Sequence, residues 1–101
     1  MPGAPATIAL TGIASATKRI EAASHNVANL QTEEFQPVRV RQSARAAGGS
    51  IAEAEVAARP EPVSVAREFI ESDLAAIQAK ASARLVKADL ELLGSLLDIL
   101  A

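Results

Sequence analysis

The pattern that decides the fold lies in residues 65–100, which read VAREFIESDLAAIQAKASARLVKADLELLGSLLDIL. Apolar or small residues recur there at alternating spacings of four and three, beginning at Val65 and Phe69 and ending at Leu97 and Leu100. This spacing places them on one face of an α-helix. A second stripe flanks the first and contains Ile70, Leu74, Ile77, Leu92 and Ile99. We predict a helix of about 36 residues, roughly 54 Å long, that needs packing partners on two sides.

A similar seam runs through residues 7–30. We predict a helix here that begins after Thr7 as its N-cap and closes near Asn29. At roughly 35 Å this helix is shorter than the second one, which therefore has more apolar face than its own chain can cover. That surplus predicts self-association. The seam comprises Ala9, Ile13, Ala16, Ile20, Ala23, Val27 and Leu30.

The segment between the helices lacks the three- and four-residue spacing of apolar residues. Residues 38–41 alternate apolar and charged side chains, which predicts either a short strand or an extended arm. Gly48 and Gly49 predict a turn or a flexible joint, and residues 51–58 are compatible with two turns of weak helix. We therefore expect an all-α single domain, an antiparallel coiled-coil hairpin with an irregular or short-β connection. Its segments are residues 1–30, 31–62 and 63–101.

Composition excludes several classes of protein. The 101 residues carry a net charge of −2 and contain no cysteine, so disulfides, thiolate metal sites and cysteine nucleophiles are absent. The weak charge provides no long-range attraction to nucleic acid or to an anionic membrane. No apolar stretch approaches the roughly 20 residues that span a bilayer. Since 23 residues are alanine, the core is thin despite a hydrophobic fraction of 50%. We expect a soluble, non-enzymatic helical protein without a secretory signal.

Candidate catalytic groups are few. His25 shares a helical face with Glu21 and Asn29, which fits either a general base or an ordinary partnered helix residue, and we favour the second. A histidine metal site would need further ligands that the chain lacks. The basic cluster that includes Arg39 and Arg41 lacks aromatic neighbours, so an acidic protein surface is at least as good a partner for it as nucleic acid. We predict no catalytic, cofactor or metal site.

Two stretches resemble the signatures of bacterial flagellar axial proteins, the rod and hook proteins. Residues 10–20, LTGIASATKRI, and residues 24–35, SHNVANLQTEEF, resemble the amino-terminal signature. Residues 65–99, with Glu68, Gln78 and the ending LGSLLDI at residues 93–99, resemble the family's terminal helix. The family usually has Asn at the position of His25 and Gly at that of Glu34. The best-matching motif positions are Asn26, Ala28, Asn29, Thr32 and Phe35.

The resemblance implies a structural role. Among rod and hook proteins the chain is most similar to a short proximal-rod-type member, with terminal helices that form an antiparallel coiled coil and pack helically into a tube. Its partners would be copies of itself, related rod proteins and the flagellar type III export apparatus. It would reside in the periplasmic rod of the basal body, exported without a cleavable signal and without membrane insertion. An alternative function is a small helical protein-binding module or a chaperone-like regulator of export and assembly.

The resemblance also assigns roles to the motif and to the apolar stripes. Asn29 would terminate the first helix, Thr32 would bond locally to the backbone, and Phe35 would anchor the exit of the chain. The first stripe would form the intramolecular seam and the second would contact other subunits. The expected seam comprises Ile13, Ile20, Val27, Phe69, Val86, Leu90, Leu93 and Leu97. The expected subunit interface comprises Ile70, Leu74, Ile77, Leu92 and Ile99.

Overall fold

The computed structural model describes residues 4–100 and shows two helices connected by a β-hairpin. Helix α1 spans Ala4–Ala28, strand β1 spans Val38–Ala44, strand β2 spans Ser50–Val56 and helix α2 spans Val65–Leu100. The two helices pack side by side, and the hairpin lies on α1. The molecule is correspondingly long and thin, at 63 × 24 × 15 Å.

Helix α1 begins earlier than expected. Its 25 residues start at Ala4, so the prediction that Thr7 caps it was wrong. Pro5 lies in the first turn of the helix, where proline is tolerated because the first N–H groups have no acceptor within the helix. Helix α1 ends at Ala28, immediately before Asn29.

Helix α2 has the predicted 36 residues and runs antiparallel to α1. The antiparallel direction follows from the contacts, because Asn26 near the end of α1 meets Glu68 near the start of α2, whereas Gly12 meets Ser82. Residues 91–100 are all exposed. The last ten residues of α2 therefore project beyond the start of α1, over a length of roughly 15 Å.

The connection is a regular β-hairpin, so the expectation of an all-α fold was wrong. Strands β1 and β2 have seven residues each and pair antiparallel from Val38 opposite Val56 to Ala44 opposite Ser50. Gly48 and Gly49 make the turn with φ values of 98° and 86°, which glycine adopts at little cost. The possible weak helix in residues 51–58 is instead β2 and the residues just after it. Its alternating Ala and Glu residues fit a strand with one face on α1.

The core consists of small side chains. All the buried hydrophobic residues of the described chain are alanines. They recur at intervals of seven in α1, at Ala9, Ala16 and Ala23, and the three buried residues of α2 have the same interval. This periodicity is typical of two helices packed along a straight seam. The buried residues of α2 are Glu68, Ala75 and Ser82.

Candidate assembly surface

The face of α1 that meets α2 carries small residues, which allow the two helices to approach closely. At Gly12, an added Cβ would lie 2.5 Å from the hydroxyl oxygen of Ser82, so a larger residue there would force that hydroxyl to move. Gln78 donates a hydrogen bond from Nε2 to the Gly12 carbonyl oxygen at 2.9 Å. Small residues thus allow a polar side chain of α2 to reach the backbone of α1.

A polar ladder continues along this interface. Arg19 donates to Gln78 Oε1 at 3.0 Å and forms an ion pair with Glu71 at 3.3 Å. The Arg19 side chain is 18% exposed, so water screens this pair less than a surface pair. Residues Arg19, Glu71 and Gln78 therefore fix the register of the two helices through directional bonds.

A buried polar cluster joins α1, β1 and α2. Asn26 is 1% exposed and uses its side-chain amide on the backbone of Val38: Nδ2 donates to the carbonyl oxygen and Oδ1 accepts from the N–H, both at 2.8 Å. Nδ2 of Asn26 also donates to Oε1 of Glu68 at 3.1 Å. Arg39 completes the cluster by pairing with Glu68 at 3.3 Å and with Glu61 at 3.6 Å. The amide of Asn26 thus takes the place of a neighbouring strand at the first residue of β1.

The chain exit after α1 is held by short-range contacts. Asn29 Nδ2 donates to the carbonyl oxygen of His25 at 2.9 Å. The hydroxyl of Thr32 donates to Asn29 Oδ1 at 3.1 Å rather than to the backbone, and the Thr32 N–H donates to the Asn29 carbonyl at 3.0 Å. Phe35 is half-buried with its ring 5.5 Å from that of His25, and its carbonyl accepts from the N–H of Glu61 at 3.1 Å. Of the five motif positions, only Asn26 is buried, and Ala28 is exposed.

Glu34 has a φ of 53°, the left-handed region that costs a residue with a Cβ about 1–2 kcal/mol. We expect Glu34→Gly to raise the free energy of unfolding by about 0.5–1 kcal/mol, since glycine removes this strain but loses more backbone entropy on folding. Thermal unfolding followed by circular dichroism would measure the gain. Glu34→Ala removes the carboxylate but keeps the Cβ, so an equal gain in that variant would contradict the explanation by backbone strain.

The residues expected in the intramolecular seam are not the buried residues of the helix pair. Ile13, Ile20 and Val86 are half-buried, whereas the other members of the set are exposed, Phe69 to 64% and Leu97 to 59%. The stripe of α2 that contacts α1 lies between the two apolar stripes and consists of small and polar residues. In α1, every second residue of the predicted seam is buried, and these buried residues are Ala9, Ala16 and Ala23. The remaining exposed members of the expected seam are Val27, Leu90 and Leu93.

Both apolar flanks of α2 are therefore open to solvent. The five residues expected to contact other subunits are exposed by 50% to 80%: Ile70, Leu74, Ile77, Leu92 and Ile99. The projecting end of α2 adds Leu96 and Leu100, exposed by 51% and 83%. Isolated exposed apolar side chains are common, but a stripe along a 36-residue helix is a feature of interaction surfaces.

Features of catalytic sites are sparse in the described chain. In residues 4–100 no three His, Asp or Glu side chains are grouped to hold a metal ion, and no helix is long and apolar enough to cross a membrane. His25 contacts the ring of Phe35, and its carbonyl, not its imidazole, accepts from Asn29. The described residues thus join the helices and the hairpin through polar contacts and leave apolar faces of α2 exposed.

The pairing of Asn26 with Val38 and the ladder through Arg19 were not found from the sequence. The motif singled out Asn26 as a position but carried no indication of a partner 12 residues away. Glu68 and Gln78 are positions of the terminal-helix resemblance, but that resemblance carries no indication that they contact Asn26, Arg19 or Gly12. Comparison with protein-family profiles and with curated protein sequences finds no match to this chain.

Proposed function

We propose that this chain is a structural subunit of the flagellar basal-body rod, which assembles with copies of itself and with related rod proteins through the exposed faces of α2. One observation carries the proposal: the helix pair buries small residues and leaves its large apolar residues outside. A chain that folded for its own stability alone would bury its leucines and isoleucines, because each is worth about 1.5–3 kcal/mol when removed from water.

The position of the exposed residues supports assembly through more than one contact. Ile70, Leu74 and Ile77 lie beside the paired part of the helices, whereas Leu92 and Ile99 lie on or next to the end of α2 that projects past α1. A lateral face and a projecting end can engage different neighbours. Contacts of that kind between unlike surfaces generate rings or open helical filaments rather than closed pairs.

The turn after α1 supports the choice of family. The position where axial proteins usually have glycine is Glu34, and it adopts a positive φ of 53°. Asn26, a motif position, is buried and makes three hydrogen bonds. These are structural reasons for a Gly and an Asn at those places in the motif. In this proposal the protein leaves the cytoplasm through the type III export apparatus and functions in the periplasmic rod, without catalysis or a cofactor.

Sedimentation velocity at several protein concentrations tests the proposal, with the protein alone and mixed with purified rod proteins. We expect open-ended species that grow with concentration, in the protein alone or in the mixture. A closed 1:1 complex that does not grow would contradict the proposal and support a binding module or assembly chaperone instead. Persistence of monomers in every mixture would contradict both.

A further inference from the structure

The outer edge of β1 is open at residues 40–44, whereas side chains of α1 occupy part of the outer edge of β2. The carbonyl of Pro37 accepts from Ala57, and the N–H of Arg45 donates to the carbonyl of Gly49, so odd-numbered residues of β1 point their backbone groups at β2. The even-numbered residues of β1 point theirs outward. Among these, Val38 is occupied by Asn26, whereas the outward groups of Val40, Gln42 and Ala44 have no hydrogen-bond partner within residues 4–100.

The outer edge of β2 differs at Ser50 and Ala52, because side chains of α1 bind their backbone groups. Thr11 accepts a hydrogen bond from the N–H of Ser50 at 3.0 Å, and Lys18 donates to the carbonyl of Ala52 at 2.9 Å. A strand of another molecule would have to displace both side chains to pair there. The open edge of β1 requires no such displacement.

The charges beside the open edge define what can pair with it. Arg39 and Arg41 lie opposite Glu55 and Glu53 in the hairpin; Arg41 forms an ion pair with Glu55, and Arg39 pairs with Glu61 and Glu68. A new strand beside β1 would place every second side chain in the same row as these arginines. Carboxylates at those positions are favourable and cations are not, because opposite charges on neighbouring strands attract.

The other side of the new strand would face α1 and a cleft beside it. This cleft has a volume of about 420 Å³, and its lining includes the apolar residues Val38, Val40, Ala22 and Ala23 together with three arginines and three glutamates. Small or medium apolar side chains of the new strand would pack beside Val40, the apolar residue that the open part of β1 presents on this side. The sequence that suits the edge therefore alternates apolar and acidic residues, as β2 itself does at residues 52–56, AEAEV.

We propose that the outer edge of β1 at residues 40–44 binds an extended, alternating apolar and acidic segment of a partner protein by strand addition. A second copy of the chain is a poor occupant through its β2 edge, because side chains of its own α1 already bind Ser50 and Ala52 there. Antiparallel pairing of two β1 edges centred on Gln42 would place Arg39 of each copy opposite Arg45 of the other, which like charge disfavours. This inference does not rest on the proposed role in the rod.

Amide hydrogen exchange of the full chain, measured by NMR at a concentration where sedimentation shows monomers, tests the proposal. The probe is the capped peptide SIAEAEV, and its matched control is SIAKAKV. At a peptide concentration about nine times the dissociation constant, we expect exchange at the Val40, Gln42 and Ala44 amides to slow about tenfold. The control peptide is expected to leave these amides unchanged. Equal slowing by both peptides, or slowing by neither, would overturn the proposal.

Two proline variants separate edge binding from other effects. Gln42→Pro removes an outward N–H, which an edge strand tolerates, so we expect the hairpin to remain and the slowing at Val40 and Ala44 to be lost. Ser43→Pro removes an N–H that faces β2 and should disrupt the hairpin itself. Protection by the acidic peptide that survives in Gln42→Pro would contradict strand addition at this edge. Slowing that increases with protein concentration and needs no peptide would instead identify a second copy as the occupant.

Discussion

Replacing Leu74 by aspartate is expected to abolish association between subunits while the monomer remains folded. Leu74 is 50% exposed in the single chain, so the substitution creates no cavity in the helix pair. In an assembled contact it would lose about 1.5–3 kcal/mol of apolar burial and would bury a carboxylate without a partner, which costs about 3 kcal/mol or more. Each contact should therefore weaken by more than about 100-fold. Sedimentation velocity measures the loss of assembly, and far-UV circular dichroism measures the retained helix.

The matched control is Lys80→Gln, which changes the net charge by the same amount at an exposed polar position of α2. We expect this variant to assemble like the unmodified protein. If Leu74→Asp assembles normally, the exposed flank that contains Leu74 is not a subunit interface. If both variants fail to assemble, the effect is due to net charge rather than to apolar contact.

The second large effect is expected at Asn26, where alanine should lower the free energy of unfolding by about 3 kcal/mol. The substitution removes three hydrogen bonds and leaves the N–H and carbonyl of Val38 without their partner. Each buried polar group that loses its partner costs about 1–3 kcal/mol. The loss is a large share of the 5–15 kcal/mol that stabilises a typical domain. Urea unfolding followed by circular dichroism measures it.

Asn29→Ala provides a matched control from the same motif. The Asn29 side chain bonds only to nearby groups on the surface, the carbonyl of His25 and the hydroxyl of Thr32, so its loss should cost less than about 1 kcal/mol. Faster amide exchange throughout β1 in Asn26→Ala, and not in Asn29→Ala, would show that the hairpin has separated from α1. Equal destabilisation by the two substitutions would disprove the special role of the buried asparagine.

The helices could be predicted because their signal is local. In α2 the apolar residues recur at spacings of three and four over the whole of residues 65–100, and the helix has the predicted length. The turn at Gly48 and Gly49 could be predicted for the same reason, since positive φ values favour glycine. The start of α1 at Ala4 could not be predicted from the capping preference of Thr7, and Pro5 is compatible with this earlier start because the first turn of a helix accepts proline.

The hairpin was harder to predict because most of what holds it is not in its own sequence. Residues 51–56, IAEAEV, contain residues that favour helix as much as strand. Contacts with α1 decide between the two: the hydroxyls of Ser15 and Ser50 lie 2.9 Å apart, Lys18 binds the carbonyl of Ala52, and Asn26 binds Val38. Two short strands alone are marginal in water, so the helix beneath them stabilises the pairing.

The sequence by itself determined that this chain has two long helices. It also determined that a turn at Gly48 and Gly49 lies between them. The tertiary structure decided which face of α2 is buried. Both apolar stripes have the three- and four-residue spacing that is typical of packed helices. Periodicity therefore could not show that the stripe of small and polar residues between them is the one that is buried. Gly12 and the alanines of α1 allow the helices to approach closely, and the residues of α2 buried at that distance are the small Ala75 and Ser82 and the hydrogen-bonded Glu68. The large residues consequently remain outside, because burial depends on the distance between the helices, whereas periodicity is a property of each helix alone.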